Sequence, residues 1–500
     1  MGNNLLYNNF IKPHINNKDP FLIYRDGSFT TYKDFISLSK KISQYLVSSQ
    51  VAKGDRILFQ LEKSIYGLAV YVACIMTGAI YVPLNDQYTL EETKYFINDS
   101  KPKFIFCNSV RKNEIEKLNI VSQDSLVEVD PKIGFLKFNI EEYEELTFIQ
   151  AVDINDIIAF LYTSGTTGKS KAVALSQGNL YSNASTLKVY WDIQKNDRLI
   201  HMLPIFHTHG LFVAINTTLV SGLSVYFFDK FSLTDLITVL PKATLLMGVP
   251  TYYKRMNGSS LVTKNLTNNM RLFISGSAPL SSIDHQMFYQ KTGHTILERY
   301  GMTETNMNTS NPYLGKRKPG SVGLPLPQVH IRIIDDNSKK QMGINEIGMI
   351  QIKGPNVFNS YWNNDQANLE AFSDDGFFIT GDLGYIDEDG YITISGREKD
   401  LIISGGFNIY PKEIEDLIND YEEVIESAVI GKNDTDLGEV PVAIIVIGSK
   451  LREKIITELN KRFIKNLAKY KIPKEIKIIN ELPRNAMGKI QKNKIFDLIS

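Results

Sequence analysis

From Phe21 to about Asp229, short apolar runs alternate with amphipathic helical stretches, and this rhythm limits the possible folds more than any other feature of the chain. Examples are "RILFQ" at Arg56 to Gln60, "FIFCN" at Phe104 to Asn108, "IIAFLYTS" at Ile157 to Ser164 and "SVYFFD" at Ser224 to Asp229. Strands that alternate with helices predict α/β layers around mostly parallel sheets. After about Pro319 the spacing tightens to "IRIIDD", "GMIQIKG" and "GYIDEDGYITIS", with Gly and Asp at the turns, which predicts a small, mostly antiparallel section.

Beyond "SGREKD" the pattern changes again. Pro411 stands where a helix can begin, with Ile414, Leu417 and Ile418 at helical spacing behind it. Strand-like "ESAVIG" and "VAIIVIG", a helix across "LREKIITELNKRFIKNLAKY" and then "EIKIIN" follow. This tail of roughly 100 residues is domain-sized and predicts a separate α+β unit. The expected fold class is therefore α/β: a large N-terminal domain of layered sheets with a small β section, then a small C-terminal α+β domain.

The stretch Tyr66 to Leu84, "YGLAVYVACIMTGAIYVPL", approaches the length of a membrane span. Gly67, Thr77, Gly78 and Pro83 interrupt it, so it predicts a buried helix leading into a buried strand. Met1 to Phe10 lacks the basic-then-apolar order of a signal peptide, and a soluble, cytoplasmic protein with no membrane attachment is expected. Lys and Arg balance Asp and Glu at 55 each, which removes the basic footprint of a dedicated nucleic-acid binder. One local exception is Lys461 to Lys494, where a basic cluster suits phosphate contact. Cys74 and Cys107 are too few for a disulfide framework or a zinc cluster. His207 and His209 could share a strand face, but no third metal ligand lies nearby in sequence.

"LYTSGTTGKSKAVAL", Leu161 to Leu175, has the vocabulary of a phosphate loop. A Walker loop needs four residues between its first glycine and Gly-Lys-Ser, and that glycine position is occupied by Thr163. The segment also runs on into strand-like "KAVAL" instead of a helix, so the helix-dipole cradle of a P-loop is not indicated. What remains is a loop of Thr163, Ser164, Gly165, Thr166, Thr167, Gly168 and Lys169. Its small residues let backbone N–H groups converge on phosphate oxygens, and its hydroxyls add donors.

"YTSGTTGKSKAV" resembles the phosphate-loop signature of the adenylate-forming superfamily, which comprises acyl-CoA synthetases, peptide-synthetase adenylation domains and luciferases. Four further motifs follow in the family's order: "YGMTET" from Tyr300, "TGD" from Thr380, "GREKDLIISGGFNIYPKEIE" from Gly396 and "PRNAMGKIQK" from Pro483. Ser170 stands where the family usually has Pro, and Ala172 where it usually has Gly. Neither position supplies a catalytic side chain, and both bear on the mobility of the loop.

The resemblance implies an acid–thiol ligase in which a carboxylate attacks the α-phosphate of ATP and a thiol then displaces AMP. It implies that residues 163–169 clamp the phosphates, that Glu304 holds Mg²⁺ and that Tyr300 lines the adenine. Asp382 and Arg397 take the ribose, and Ser277, Glu298, Arg299, Gly301, Met302 and Thr303 complete the nucleotide site. Lys489 bridges the substrate carboxylate and the α-phosphate, with Glu304, Thr303 and His207 as further catalytic positions. The division falls at 1–398 and 399–500, with a hinge at Lys399 about which the small domain alternates between two half-reactions. One orientation brings Lys489 to ATP; the other presents Ser404, Gly405, Gly406 and Phe407 to CoA. No carrier domain is expected after Ser500, so free CoA is the expected acceptor.

Within the superfamily, "RLIHMLPIFHTHGLFVAINTTLVSG", "LMGVPTYYKRM", "RLFISGSAPL" and "LERYGMTETNMNTSNPYLGKR" resemble malonyl-CoA synthetases. Arg299 precedes Tyr300, where the family's acyl pocket meets the adenine site. A guanidinium there suits a second, non-reacting carboxylate, with His207 and Ser277 beside it. A structural ion pair of Arg299 with Glu298 or Glu304 is the competing reading. The expected reaction joins malonate to CoA, releasing pyrophosphate and then AMP; another short or methyl-branched acid, such as methylmalonate, is the alternative.

Overall fold

Each quoted apolar run forms a strand, at Arg56–Gln60, Phe104–Cys107, Ile157–Ser164 and Ser224–Phe227. The computed structural model describes residues 3–136, 138–164, 170–335, 338–448, 452–484 and 490–499. Among the described residues the large domain holds an eight-stranded and a nine-stranded sheet, parallel at their centres with antiparallel edges. The first runs from Ser360–Tyr361 through Ser170–Ser176, Ile157–Ser164, Ile80–Pro83 and Arg56–Gln60 to Phe104–Cys107 and beyond. The second places Leu297–Met302 beside Leu272–Ser275, then Leu245–Gly248, Arg198–His201 and Ser224–Phe227.

The broken apolar stretch resolves as expected. Its helix, Ile65–Thr77, is buried at every position from Gly67 to Thr77 and belongs to the core that joins both sheets. Gly78, at φ 73°, adopts the left-handed C-cap that ends it, and strand Ile80–Pro83 follows. Among the described residues no helix is long and apolar enough to cross a membrane.

The closely spaced strands His330–Ile334, Gly348–Lys353, Phe378–Ile386 and Ile392–Arg397 form an antiparallel sheet. The smaller C-terminal domain has its own sheet, built on the long hairpin Val424–Asp434 and Gly438–Ile447, with helix Pro411–Asn419 packed on it. Its apolar clusters, around Ile414, Val429, Phe463 and around Ile430, Ile444, Leu482, are separate from the core of the large domain.

Candidate active site

Three parallel strands of the nine-stranded sheet, Arg198–His201, Leu272–Ser275 and Leu297–Met302, deliver the site at or beyond their carboxyl ends, the usual ligand position in such sheets. Leu297–Met302 turns back antiparallel into Asn306–Ser310, and the register slips between Tyr300 and Gly301. A Cβ on Gly301 would lie 1.9 Å from the Asn306 carbonyl oxygen, so only glycine fits this bulge. Thr303 and Glu304 lie in the turn between the strands.

Tyr300 donates its phenolic hydrogen to Asp382 Oδ2, and Arg397 Nε lies 2.6 Å from Asp382 Oδ1. Asp382 and Arg397 face each other across the pair Phe378–Ile386 and Ile392–Arg397. Thr380 fixes the approach, donating to the Ile350 carbonyl at 2.8 Å and accepting from the Asp382 N–H at 3.0 Å. Burial first, and then the Asp382 carboxylate, push the Tyr300 phenol well above its ordinary value. Burial lowers the Arg397 guanidinium, but Asp382 with Tyr300, Glu304 and Asp400 outweighs this and holds it raised. The three groups make a fixed, anion-bearing corner suited to hydroxyl donors.

Glu304 is buried, and its Oε1 accepts from the Tyr361 hydroxyl at 3.1 Å. Tyr361 lies in the edge strand paired with Val173 and Ala174, on the strand that follows the Gly-rich segment, and Lys171 sits 5.1 Å over its ring. The hairpin Ile157–Ser164 and Ser170–Ser176 pairs out to Ser164 and Ser170. Tyr95 anchors it by donating to the Ser170 carbonyl at 2.7 Å, and Tyr162 by donating to Asp99 at 2.6 Å. Thr163 and Ser164 end the first strand, while Gly165, Thr166, Thr167, Gly168 and Lys169 lie outside the described residues.

Arg299 is the exceptional group. It is 3% exposed, its Nε and Nη2 have no hydrogen-bond partner, and no carboxylate among the described residues pairs with it. The alternative pairing with Glu298 or Glu304 is therefore not what the structure contains. Glu298 instead accepts from the Gly320 N–H at 3.2 Å and lies 3.5 Å from His285 Nδ1. Burial pushes the Arg299 guanidinium down to about 9, with Tyr253 the opposing influence. It lies against bare backbone: a Cβ on Gly276 would fall 2.4 Å from its Cζ.

The next residue, Ser277, takes a left-handed φ of 71°, and its Oγ lies 3.3 Å from His209 Nδ1. His209 is 2% exposed with its Nε2 unpartnered. Burial and then the Arg299 charge hold its imidazole well below the ordinary value, so it stays neutral. His207 and His209 do not share a strand face. The strand ends at His201, His207 lies in the loop beyond, and His209 opens the π-helix His209–Ile215. The His209 N–H donates to His207 Nδ1 at 3.4 Å. His209 and Gly276 escaped the sequence reading. The signal for His209 is the H-x-H spacing, which fits a shared strand face and a metal pair but lacks a third ligand.

In the small domain, Gly405 and Gly406, both at positive φ (56° and 84°), form the two-residue turn between strands Ile402–Ser404 and Phe407–Ile409. Phe407 is exposed and stacks on Tyr470 at 4.7 Å. Lys399 occupies the short 3₁₀ turn Glu398–Asp400 directly after Arg397. Lys489 lies outside the described residues. The chain on either side of its segment is joined by a bridge between Arg484 and Ile490, and Arg484 pairs with Glu426.

Two family descriptions match the chain: AMP-binding enzyme over residues 14–362 and AMP-binding enzyme C-terminal domain over residues 413–489. The chain belongs to the AMP-binding enzyme family, as its motifs and two-domain fold imply. At the level the family and its relatives share, it is an AMP-forming, ATP-using acyl-CoA ligase. It is 30% identical to a malonate–CoA ligase of Arabidopsis thaliana, covering 96% of this chain and 86% of that one. It is equally, at 30%, identical to a long-chain-fatty-acid–CoA ligase of Bacillus subtilis, covering 94% of this chain and 90% of that one. Among solved structures it is similar to ATP-bound MatB from Rhodopseudomonas palustris, with a TM-score of 0.95 and 44% identity over 100% of this chain and 99% of that one.

Proposed function

We propose that the chain joins malonate to CoA through a malonyl-adenylate, releasing pyrophosphate and then AMP. The observation that carries this reading is Arg299, a buried guanidinium with two unpartnered donors beside Ser277 and a neutral His209. Relatives of equal identity are named for malonate and for long-chain fatty acids, so identity alone does not select the acid. An apolar tail beside Arg299 would leave the charge unpaired, whereas a second carboxylate accepts from both free donors. A neutral His209, with His207 and Ser277, supplies polar neighbours to that carboxylate.

The chemistry needs positioning and charge neutralisation more than proton transfer. The acid's reacting carboxylate attacks the α-phosphate, with Lys489 between the two to stabilise the developing charge. Asp382, oriented by Tyr300 and Arg397, accepts from the ribose hydroxyls, and residues 163–169 hold the phosphates that leave. Glu304 would hold Mg²⁺, since a buried carboxylate fixed by Tyr361 suits a hard cation that also takes phosphate oxygens and offsets their charge. Rotation about Lys399 then exchanges the Lys489 segment for the Ser404–Phe407 turn, where the CoA thiol displaces AMP.

The test is pyrophosphate release across malonate, methylmalonate, acetate, butyrate and an aryl acid, with and without CoA. Malonate is expected to exceed acetate by up to ~10⁴ in kcat/KM, the scale of a missing polar partner. Comparable turnover of acetate or butyrate would overturn the assignment.

A further inference from the structure

Lys63 lies in the connection between strand Arg56–Gln60 of one sheet and helix Ile65–Thr77, yet its hydrogen bonds among the described residues go to the strand ends of the other sheet. Nζ donates to the Phe228 carbonyl at 2.5 Å, to the His201 carbonyl at 3.0 Å and to His201 Nδ1 at 2.7 Å, with the Phe227 ring 4.3 Å away. Three donors meet three neutral acceptors, and no carboxylate among the described residues bonds to it. Desolvation pushes the half-buried Lys63 ammonium well below its ordinary value, with Asp229 the opposing influence, so as a stability device this is a poor choice beside an apolar side chain of the same shape.

The consequence falls on His201. Its Nε2 lies 2.9 Å from the Gly210 carbonyl, which can only accept, so the ring proton sits on Nε2 and Nδ1 accepts from Lys63 Nζ. The ring thereby spans the neck of the loop between His201 and Gly210. That neck has no slack: a Cβ on Gly210 would lie 2.0 Å from the Pro204 carbonyl oxygen. Two further contacts hold the loop. Met202 accepts from the Tyr252 hydroxyl at 2.8 Å, and Ile205 rests on Gly67, where a Cβ would come within 3.0 Å of its Cδ1. The loop carries His207 and leads directly into His209.

We propose that Lys63 is a positioning residue for the acid pocket: by locking the tautomer and orientation of His201, it sets the loop that brings His207 and His209 to Arg299 and Ser277. The proposal rests on the acid-pocket assignment above. It goes beyond that assignment in naming a side chain on the opposite sheet that never touches substrate.

The test compares Lys63→Met, His201→Asn and His201→Gln in steady-state kinetics with ATP and the acid varied separately, on whichever acid the unaltered enzyme turns over best. The unaltered enzyme's preference among acids tests the pocket assignment; the variants test the strut. Lys63→Met and His201→Asn are expected to raise KM for the acid by about tenfold or more, as misplacement of a positioned group does, with KM for ATP unchanged. His201→Gln, whose amide nitrogen can replace Nε2 toward Gly210, is expected to restore most of the acid KM. Loss confined to kcat or to thermal stability, with the acid KM unmoved in both Lys63→Met and His201→Asn, would overturn the proposal. So would equal KM effects on ATP and acid.

Discussion

Replacing Arg299 with methionine separates stability from function. The guanidinium is held at about 9 by burial, well below its ordinary value. At 1.36 kcal/mol per pH unit, that difference corresponds to about 5 kcal/mol spent keeping the charged form in place. The sign follows from linkage: the cost is fully present below about pH 9 and is relieved only as the pH rises from there toward the ordinary guanidinium value. At neutral pH the ligand-free enzyme therefore bears all of it. Methionine removes the charge, keeps a similar length and leaves the surface against Gly276 covered, so Arg299→Met is expected to raise the apparent melting temperature of the ligand-free protein. Function moves the other way. Removing one partner of a buried ion pair costs about 3–5 kcal/mol, so kcat/KM for malonate should fall roughly 10²–10⁴-fold. Differential scanning fluorimetry with and without malonate, together with pyrophosphate release, reads both effects. A variant that melts lower than the parent, or that keeps malonate turnover, refutes the assignment of Arg299 as an uncompensated charge awaiting its substrate.

Gly276→Ala places a methyl 2.4 Å from Arg299 Cζ and must displace the guanidinium; malonate KM is expected to rise at least about tenfold with little change in ATP KM. Lys489→Ala should cost about 3–4 kcal/mol in adenylate formation, measured as ATP–pyrophosphate exchange, while preformed malonyl-adenylate plus CoA still gives thioester; equal loss of both half-reactions would contradict domain alternation. Because His209 is held neutral in the folded state, its unfolded form takes up a proton below about pH 6.5 and the folded form does not. Stability should therefore fall as pH drops below that value, and His209→Gln should flatten the fall by up to about 1.4 kcal/mol per pH unit in urea titrations.

The layered sheets, the buried helix ahead of strand Ile80–Pro83 and the change to antiparallel strands after Pro319 were all legible in sequence, because strand and helix leave periodic apolar patterns. Glu304, Asp382 and Arg397 were legible because each sits in a short motif whose backbone geometry is itself local, such as the bulge at Gly301 or the positive-φ Gly381 inside its strand. A strand face shared by His207 and His209 was open in sequence because nothing local distinguishes a strand continuing past His201 from one that stops there. Lys63, in "LEKSIY", reads as an ordinary surface charge, since its three acceptors come from residues at least 138 positions away.

The sequence by itself determined the family, the order of the two domains and the motifs from which the ATP-handling groups are proposed, since these depend on residue types at fixed spacings. Only the tertiary structure decided that Arg299 lacks a counter-ion among the described residues. That fact depends on what Gly276, Ser277, His209 and Tyr253 leave open around it. A charge acquires its meaning from burial and from partners in space, and the parallel crossovers of this fold bring those partners together from strands and loops far apart in the chain.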